Sequence, residues 1–379
     1  MKKLLYIFLI LASFGISAQT TVEEYLNRGF SSLFTKDFNG AIAEYSKAIA
    51  LDPNNTEAYS SRGYAKGALK DYNGAMADLT KAIDFNPNDD YGYSLRAKVK
   101  EALKDYNGAM ADYTKVIALD PNNDYAYSLR AKVKEALKDY NGAMADYTKA
   151  IALDPNNAED YLSRAKAKEA LKDYNGAMAD YNKAIAVYTK AIELDPNNKE
   201  AYFNSAKVKS DDLKDFNGAI ADYTKVIKLG YNDKGVYLNR AKAKYNLGDY
   251  YGAIADYTRA IEIDPNDALA YKNRGIAKYD LKDYKGAIAD YTKAIEIDPN
   301  NDYAYINRGL SKYNLGDYYG AIADYTKAIV IDPNYAYAYS NRGISKENLG
   351  DLSGACADWR KAANLGDTDS AEWVKNQCN

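Results

Sequence analysis

Residues able to do covalent or acid-base chemistry are scarce in this chain. Histidine is absent from the 379 residues, and cysteine occurs twice, at Cys356 and Cys378. Without histidine there is no Ser-His-Asp or Cys-His catalysis, no His-ligated metal and no imidazole base near neutral pH. Two cysteines cannot supply a four-ligand zinc site. No Gly-x-Gly-x-x-Gly motif follows a strand pattern, and no phosphate-binding loop is found. Acids are abundant, but the same ones return at fixed intervals, whereas a catalytic pair is normally unique; repeated acids read as solvated helix faces. The Asp-Pro-Asn-Asn loops lack the acid count and terminal Glu of a calcium loop. The expectation is therefore no enzyme, no cofactor and no metal. The chemistry that remains is contact, and its conspicuous residue is tyrosine, present 39 times.

The tyrosines are positioned by one stretch, Gly-Ala-Ile-Ala-Asp-Tyr-Thr-Lys-Ala-Ile at Gly286 to Ile295, with near copies starting at Gly40, Gly74, Gly108, Gly142, Gly176, Gly218, Gly252, Gly320 and Gly354. Successive glycines lie 34 residues apart, except for 42 between Gly176 and Gly218. A fixed period of this size marks a repeat architecture whose units bury their apolar faces only by stacking. Basic and acidic residues, 50 and 53, are interleaved, which argues against a nucleic-acid surface.

Within a unit the apolar residues follow helical spacing. From Asp302, a first helix carries Tyr305, Gly309 and Tyr313, and a turn follows at Leu315-Gly316-Asp317. Asp317 suits the N-cap of a second helix. That helix carries Ala321, Ile322, Tyr325, Ala328 and Ile329 and stops at Asp332-Pro333, because proline cannot continue it.

These residues resemble the tetratricopeptide repeat, a 34-residue helix-turn-helix family with an aromatic at position 4, small residues at 8, 20 and 27, an aromatic at 24 and Pro at 32. The resemblance covers residues 22 to 365. It implies an all-α, right-handed solenoid of about ten units closed by a C-terminal capping helix. Two departures recur. Position 7, commonly Leu, is Arg in nine units and Ser205 in the sixth; position 11, commonly Tyr, is Lys from the second unit onward. Sixteen residues after each Arg stands an acid, as with Arg308 and Asp324. An intra-repeat ion pair is expected there, worth about 0 to 1 kcal/mol as a partly exposed bridge.

The tyrosines at positions 4 and 24 read as core. Binding residues are expected at positions 2, 5, 9, 12 and 13 of the first helix, which line the concave face in the family. These are Lys98, Lys132 and Lys166, which the i, i+3 spacing pairs with Glu101, Glu135 and Glu169, and further on Tyr245, Tyr279, Tyr313, Tyr303 and Tyr337. Surplus tyrosines of this kind are interface residues. The family's peptide-carboxylate clamp wants Asn at position 9, and this chain has none there. The implied function is a protein-protein interaction scaffold of the cell envelope that binds a peptide or partner protein. The alternative is a glycan-binding accessory protein with a tyrosine-lined groove.

Residues 1 to 18 stand apart, with Lys2 and Lys3, an apolar run from Leu4 to Ala12, and a small-residue exit at Ser17 and Ala18. They read as a secretory signal peptide cut after Ala18, which would place the mature chain in the periplasm or outside the cell, with no membrane span of its own. An oxidising compartment lets Cys356 and Cys378 pair if a hairpin turns near Gly366; two free thiols are the other reading. A seven-residue insertion near 182–188 is expected to lengthen the second helix of the fifth unit, and Trp373 to face the stack from a terminal helix at 366–379.

Overall fold

The computed structural model describes residues 21–378, which form 21 helices and no strand. The expected signal peptide lies outside the described residues. The chain divides into two compact units between Ala184 and Ile185. The first holds α1 (Val22–Phe34), α2 (Phe38–Leu51), α3 (Thr56–Ala68), α4 (Tyr72–Phe85), α5 (Asp90–Ala102), α6 (Tyr106–Leu119), α7 (Asp124–Ala136), α8 (Tyr140–Leu153) and α9 (Ala158–Ala170), and α10 (Tyr174–Leu194) begins in it. The second continues with α11 (Lys199–Asp211), α12 (Phe216–Lys228), α13 (Lys234–Asn246), α14 (Tyr250–Ile263), α15 (Ala268–Asp280) and α16 (Tyr284–Ile297). It ends with α17 (Asp302–Asn314), α18 (Tyr318–Ile331), α19 (Ala336–Asn348), α20 (Leu352–Asn364) and α21 (Thr368–Gln377). Odd-numbered A helices up to α19, α9 apart, pair with the B helix that follows, and B helices other than α10 pack on the next A helix.

Local chemistry explains the repeat's most constant letters. Asp317 caps α18 by accepting the Gly320 amide at 2.9 Å. A Cβ on Gly320 would sit 2.1 Å from the Asp317 carboxylate, so a side chain there would have to displace the capping acid from this position. The A-to-B turn needs one left-handed residue. It is lysine at Lys36, Lys70, Lys104, Lys138, Lys172, Lys214 and Lys282, and glycine at Gly248, Gly316 and Gly350. Most B helices run into an extended Asp before Pro, as at Asp332 with φ −122 and ψ 96, the geometry proline imposes on its predecessor.

The core consists of small residues around one large B-helix side chain per repeat. Tyr113, Tyr147, Tyr223, Tyr291 and Tyr325 are fully buried there, with Leu79 in the second repeat and Trp359 in the tenth. Position 4 differs from the expectation. Tyr59 and Tyr237 are buried, but Tyr93, Tyr127, Tyr271, Tyr305 and Tyr339 are half-buried, each roofed by its own repeat's Arg guanidinium. The cation does not decide the exposure, because Arg62 and Arg240 lie over the buried rings of Tyr59 and Tyr237 in the same way.

The insertion lengthens a helix, as expected: α10 has 21 residues where α8 has 14. At the other end, Trp373 of α21 packs against Trp359 at 5.3 Å between ring centres. Cys356 and Cys378 are joined by a disulfide, and Arg360 donates to the Cys378 carbonyl at 2.8 Å.

Candidate functional site

Eight repeats share one buried cluster. In the fourth repeat, the Arg130 guanidinium donates to both carboxylate oxygens of Asp146, at 2.8 and 2.7 Å. Lys134 reaches the same carboxylate at 2.8 Å, and Arg130 Nη1 donates to Thr114 Oγ1 of the previous repeat at 3.1 Å. The Arg–Asp pair forms in eight repeats: Arg62–Asp78, Arg96–Asp112, Arg130–Asp146, Arg164–Asp180, Arg240–Asp256, Arg274–Asp290, Arg308–Asp324 and Arg342–Asp358. In the sixth, Ser205 and Lys209 both bond Asp222 at 2.7 Å. The first repeat departs: Glu44 pairs with Lys47, and Arg28 lies over the Tyr25 ring at 5.7 Å.

Two expectations need correction here. These acids are not a solvated face: Asp78, Asp112, Asp146, Asp180, Asp256, Asp290, Asp324 and Asp358 are all buried. Nor is the pair a weak surface bridge. It is a bidentate, charge-assisted pair with a second cation and an inter-repeat bond. Burial alone would raise the Asp78 pKa, but the bonds from Arg62 and Lys66 outweigh it and hold the carboxyl below its ordinary value; Arg164 and Lys168 do the same for Asp180. The hydrogen bond to Asp112 raises the Arg96 guanidinium in turn. Lys at position 11 stood out in the sequence only as a departure; its constant distance of twelve residues before the buried acid was the signal that could have assigned it.

The A helices carry the variable residues. In the first unit Lys98, Lys132 and Lys166 are exposed, but the expected pairs with Glu101 and Glu135 do not form. Those carboxylates accept instead from the buried phenols of Tyr113 at 2.5 Å and Tyr147 at 3.1 Å. Desolvation raises both phenols above their ordinary range, and the adjoining Glu101 and Glu135 add to the effect. Burial likewise raises Glu135. Lys132 turns to Glu159 at 4.0 Å, and Lys98 lies 5.3 Å from the Tyr125 ring centre.

In the second unit the position-12 tyrosines form a ladder. Tyr245 donates to Asp280, Asn314 donates to the Tyr279 hydroxyl at 3.0 Å, and Asn348 to the Tyr313 hydroxyl at 3.3 Å. Each ring also meets the first tyrosine of its own B helix, Tyr250, Tyr284 or Tyr318, at 5.3–5.4 Å. The three are therefore half-buried and fixed. A cavity of about 270 Å³ lies beside Tyr245, walled by Lys242, Asn273 and Ile276. Tyr303 and Tyr337 are the open members of the set, 57% and 46% exposed. Both touch Tyr335, the N-cap residue of α19, at 5.7 and 6.4 Å between ring centres. Among the described residues no group of His, Cys, Asp and Glu could hold a metal ion, and no helix is long and apolar enough to cross a membrane.

A row of antiparallel helix pairs, locked by a buried polar cluster and varying along one helix face, defines an interaction module of the α-repeat class. Models of the tetratricopeptide repeat match residues 56–89, 91–123, 125–157, 236–267, 268–301 and 290–323, and a TPR repeat model matches 35–70, 170–210 and 309–350. Together these span well over half of the sequence, and the chain belongs to the tetratricopeptide repeat family. No curated protein matches it. Among solved structures it is similar to MamA, at 27% identity over 47% of this chain and 94% of that one, with a TM-score of 0.42. YrrB, described as a TPR protein with an unusual peptide-binding site, shares 23% identity over 51% of this chain and 95% of its own, with a TM-score of 0.40. A tetratricopeptide repeat protein from Parabacteroides merdae shares 17% over 68% and 98%, with a TM-score of 0.47.

Proposed function

We propose that the protein is an exported, non-catalytic scaffold of the cell envelope whose A-helix face holds an extended peptide or a partner protein. The carrying observation is the aromatic surface of α17 and α19, where Tyr303 and Tyr337 stand open beside the fixed Tyr279 and Tyr313. Large, amphipathic side chains on a rigid support lose little entropy on binding and are the residues on which interfaces concentrate their energy. Export is supported by the basic-then-apolar pattern of residues 1 to 18, with cleavage after Ala18, and by a disulfide that persists in an oxidising compartment. In this reading residues 22–365 are the working array and 366–379 its cap.

The test is a pull-down with residues 19–379 against detergent-solubilised envelope extract, beside a Tyr303→Ser, Tyr337→Ser variant. Both side chains are exposed, so the variant keeps its fold by circular dichroism. A protein held by the wild type and reduced at least about tenfold by the variant supports the scaffold. Retention of isolated glycans with no protein captured overturns it in favour of a glycan-binding accessory protein.

A further inference from the structure

The second repeat lacks, together, two side chains that the next two repeats use as a pair. In repeats three and four the buried B-helix tyrosine bonds the position-12 glutamate of the same repeat, Tyr113 with Glu101 and Tyr147 with Glu135. In repeat two those positions are Leu79 and Gly67. The result is an open pocket of about 350 Å³ between α3 and α5, with Gly63, Gly67, Leu79, Leu95 and Val99 among its walls. Its floor is fully buried at Leu79. The emptiness at Gly67 is not forced by crowding: a Cβ there would meet only ordinary contacts, at 3.6 Å to Val99 and 3.9 Å to Ala75.

The rim supplies the polar part of the site. Tyr64 is 43% exposed at the mouth, and Lys98 also lines it. The Lys98 ammonium faces the Tyr125 ring and has no carboxylate paired with it among the described residues. An apolar cavity where sister repeats lodge a phenol, edged by Lys98 but lacking the glutamate that accompanies the equivalent lysine in sister repeats, is complementary to an aromatic ring with an acid beside it. We propose that this pocket is a binding site for one aromatic side chain of an extended peptide, followed directly by an acidic residue that pairs with Lys98. The incoming ring takes the place of the missing tyrosine and the incoming acid that of the missing glutamate. This site belongs to the first unit and uses none of the second unit's tyrosines, so its failure leaves the Tyr303 and Tyr337 test untouched.

The experiment uses the whole chain and the acetylated peptide Gly-Gly-Phe-Asp-Gly-Gly, fluorinated on its ring and read by fluorine line broadening. The peptide binds the wild type, and an Ala-Asp analogue competes at least about tenfold less well. A Phe-Asn analogue and the Lys98→Gln variant each weaken binding about threefold and remove its salt dependence. The decisive variant is Gly67→Glu with Leu79→Tyr, which rebuilds the pair of the neighbouring repeats and fills the pocket. It keeps the helical content and abolishes binding. Gly67→Leu alone, whose Cβ has room, does the same should the double variant fold poorly. Equal binding by the filled and wild-type proteins, no binding by the wild type, or equal binding of the Phe and Ala peptides overturns the proposal.

Discussion

The two units carry the same Arg–Lys–Asp cluster and dress it differently. In the first unit, the A-helix face presents lysines, holds its position-12 glutamates inward on buried phenols, and opens a pocket at Gly67. In three repeats of the second, position 12 is tyrosine, tied repeat to repeat by Asp280, Asn314 and Asn348. The ends differ as well. Among the described residues Arg28 in the first repeat has no carboxylate partner, whereas the last repeat is covered by α21 and fastened by a disulfide. The cluster is thus a frame indifferent to the face it supports, which lets one repeat sequence carry two surface chemistries.

The largest expected effect separates cluster from surface. Asp146→Ala leaves Arg130 and Lys134 without the carboxylate they share, and uncompensated buried cations cost about 3 kcal/mol. Hydrogen exchange should show opening centred on α7 and α8, because each repeat touches only its neighbours. Arg28→Ala, at the unpaired position, should change stability by less than about 0.5 kcal/mol. Equal costs at the two sites would mean that the carboxylate geometry is irrelevant and packing alone holds the repeats.

Next in size is the fastening of the second unit. Reducing the Cys356–Cys378 bond releases a loop of 22 residues, worth about 3 kcal/mol on the chain-entropy account. Fluorescence of Trp359 and Trp373 should report α21 detaching while the first unit keeps its exchange protection. Simultaneous loosening of both units would show that the cap stabilises more than its own end.

Acid sharpens the same contrast. Asp78 and Asp180 have folded pKa values below their unfolded ones, so their contribution is present above the unfolded value, about 3.9, and disappears as pH falls through the folded one. The clustered repeats should therefore hold down to about pH 4 and unfold below it. Base acts through the tyrosines. Burial pushes the Tyr257 phenol up to about 12, and a raised acid loses its contribution as pH rises through that value, so tyrosinate absorption and helix loss should appear together above about pH 10. Gradual loss of helix from pH 6 downward would mean that ordinary surface carboxylates, not the cluster, govern acid stability.

Much of the fold was legible because it is periodic. The glycine spacing gave the units, Asp-Pro the helix ends, and the sixteen-residue Arg-to-Asp interval the ion pair. The burial of that pair was not legible, because a charged residue reads as exposed until its partners are counted, and Lys134 and Thr114 come from another turn and another repeat. The tyrosine set was found, but its division into fixed Tyr245, Tyr279 and Tyr313 and open Tyr303 and Tyr337 depends on partners 35 residues away for the fixed three and on Tyr335 in a loop for the open two. The pocket escaped notice because it is an absence. Gly67 and Leu79 are ordinary in isolation, and only the Tyr–Glu bond of the next two repeats shows what is missing.

The smallest effect lies in the turns, where three repeats of the second unit differ from the first unit in a single letter. The first unit places lysine in the left-handed position of every A-to-B turn, at Lys36, Lys70, Lys104, Lys138 and Lys172, while the second keeps lysine at Lys214 and Lys282 and uses glycine at Gly248, Gly316 and Gly350. A side chain in that conformation crowds its own carbonyl, a strain of about 1 kcal/mol that glycine avoids, though glycine loses more entropy on folding. Lys138→Gly should therefore stabilise α7–α8 by about 0.5 kcal/mol, and Gly316→Lys should destabilise α17–α18 by a similar amount. Reciprocal shifts in denaturation midpoint would assign the difference to backbone geometry. Loss of stability in both directions would show that Lys138 contributes through its side chain, and that the lysine turns belong to the first unit's charged surface.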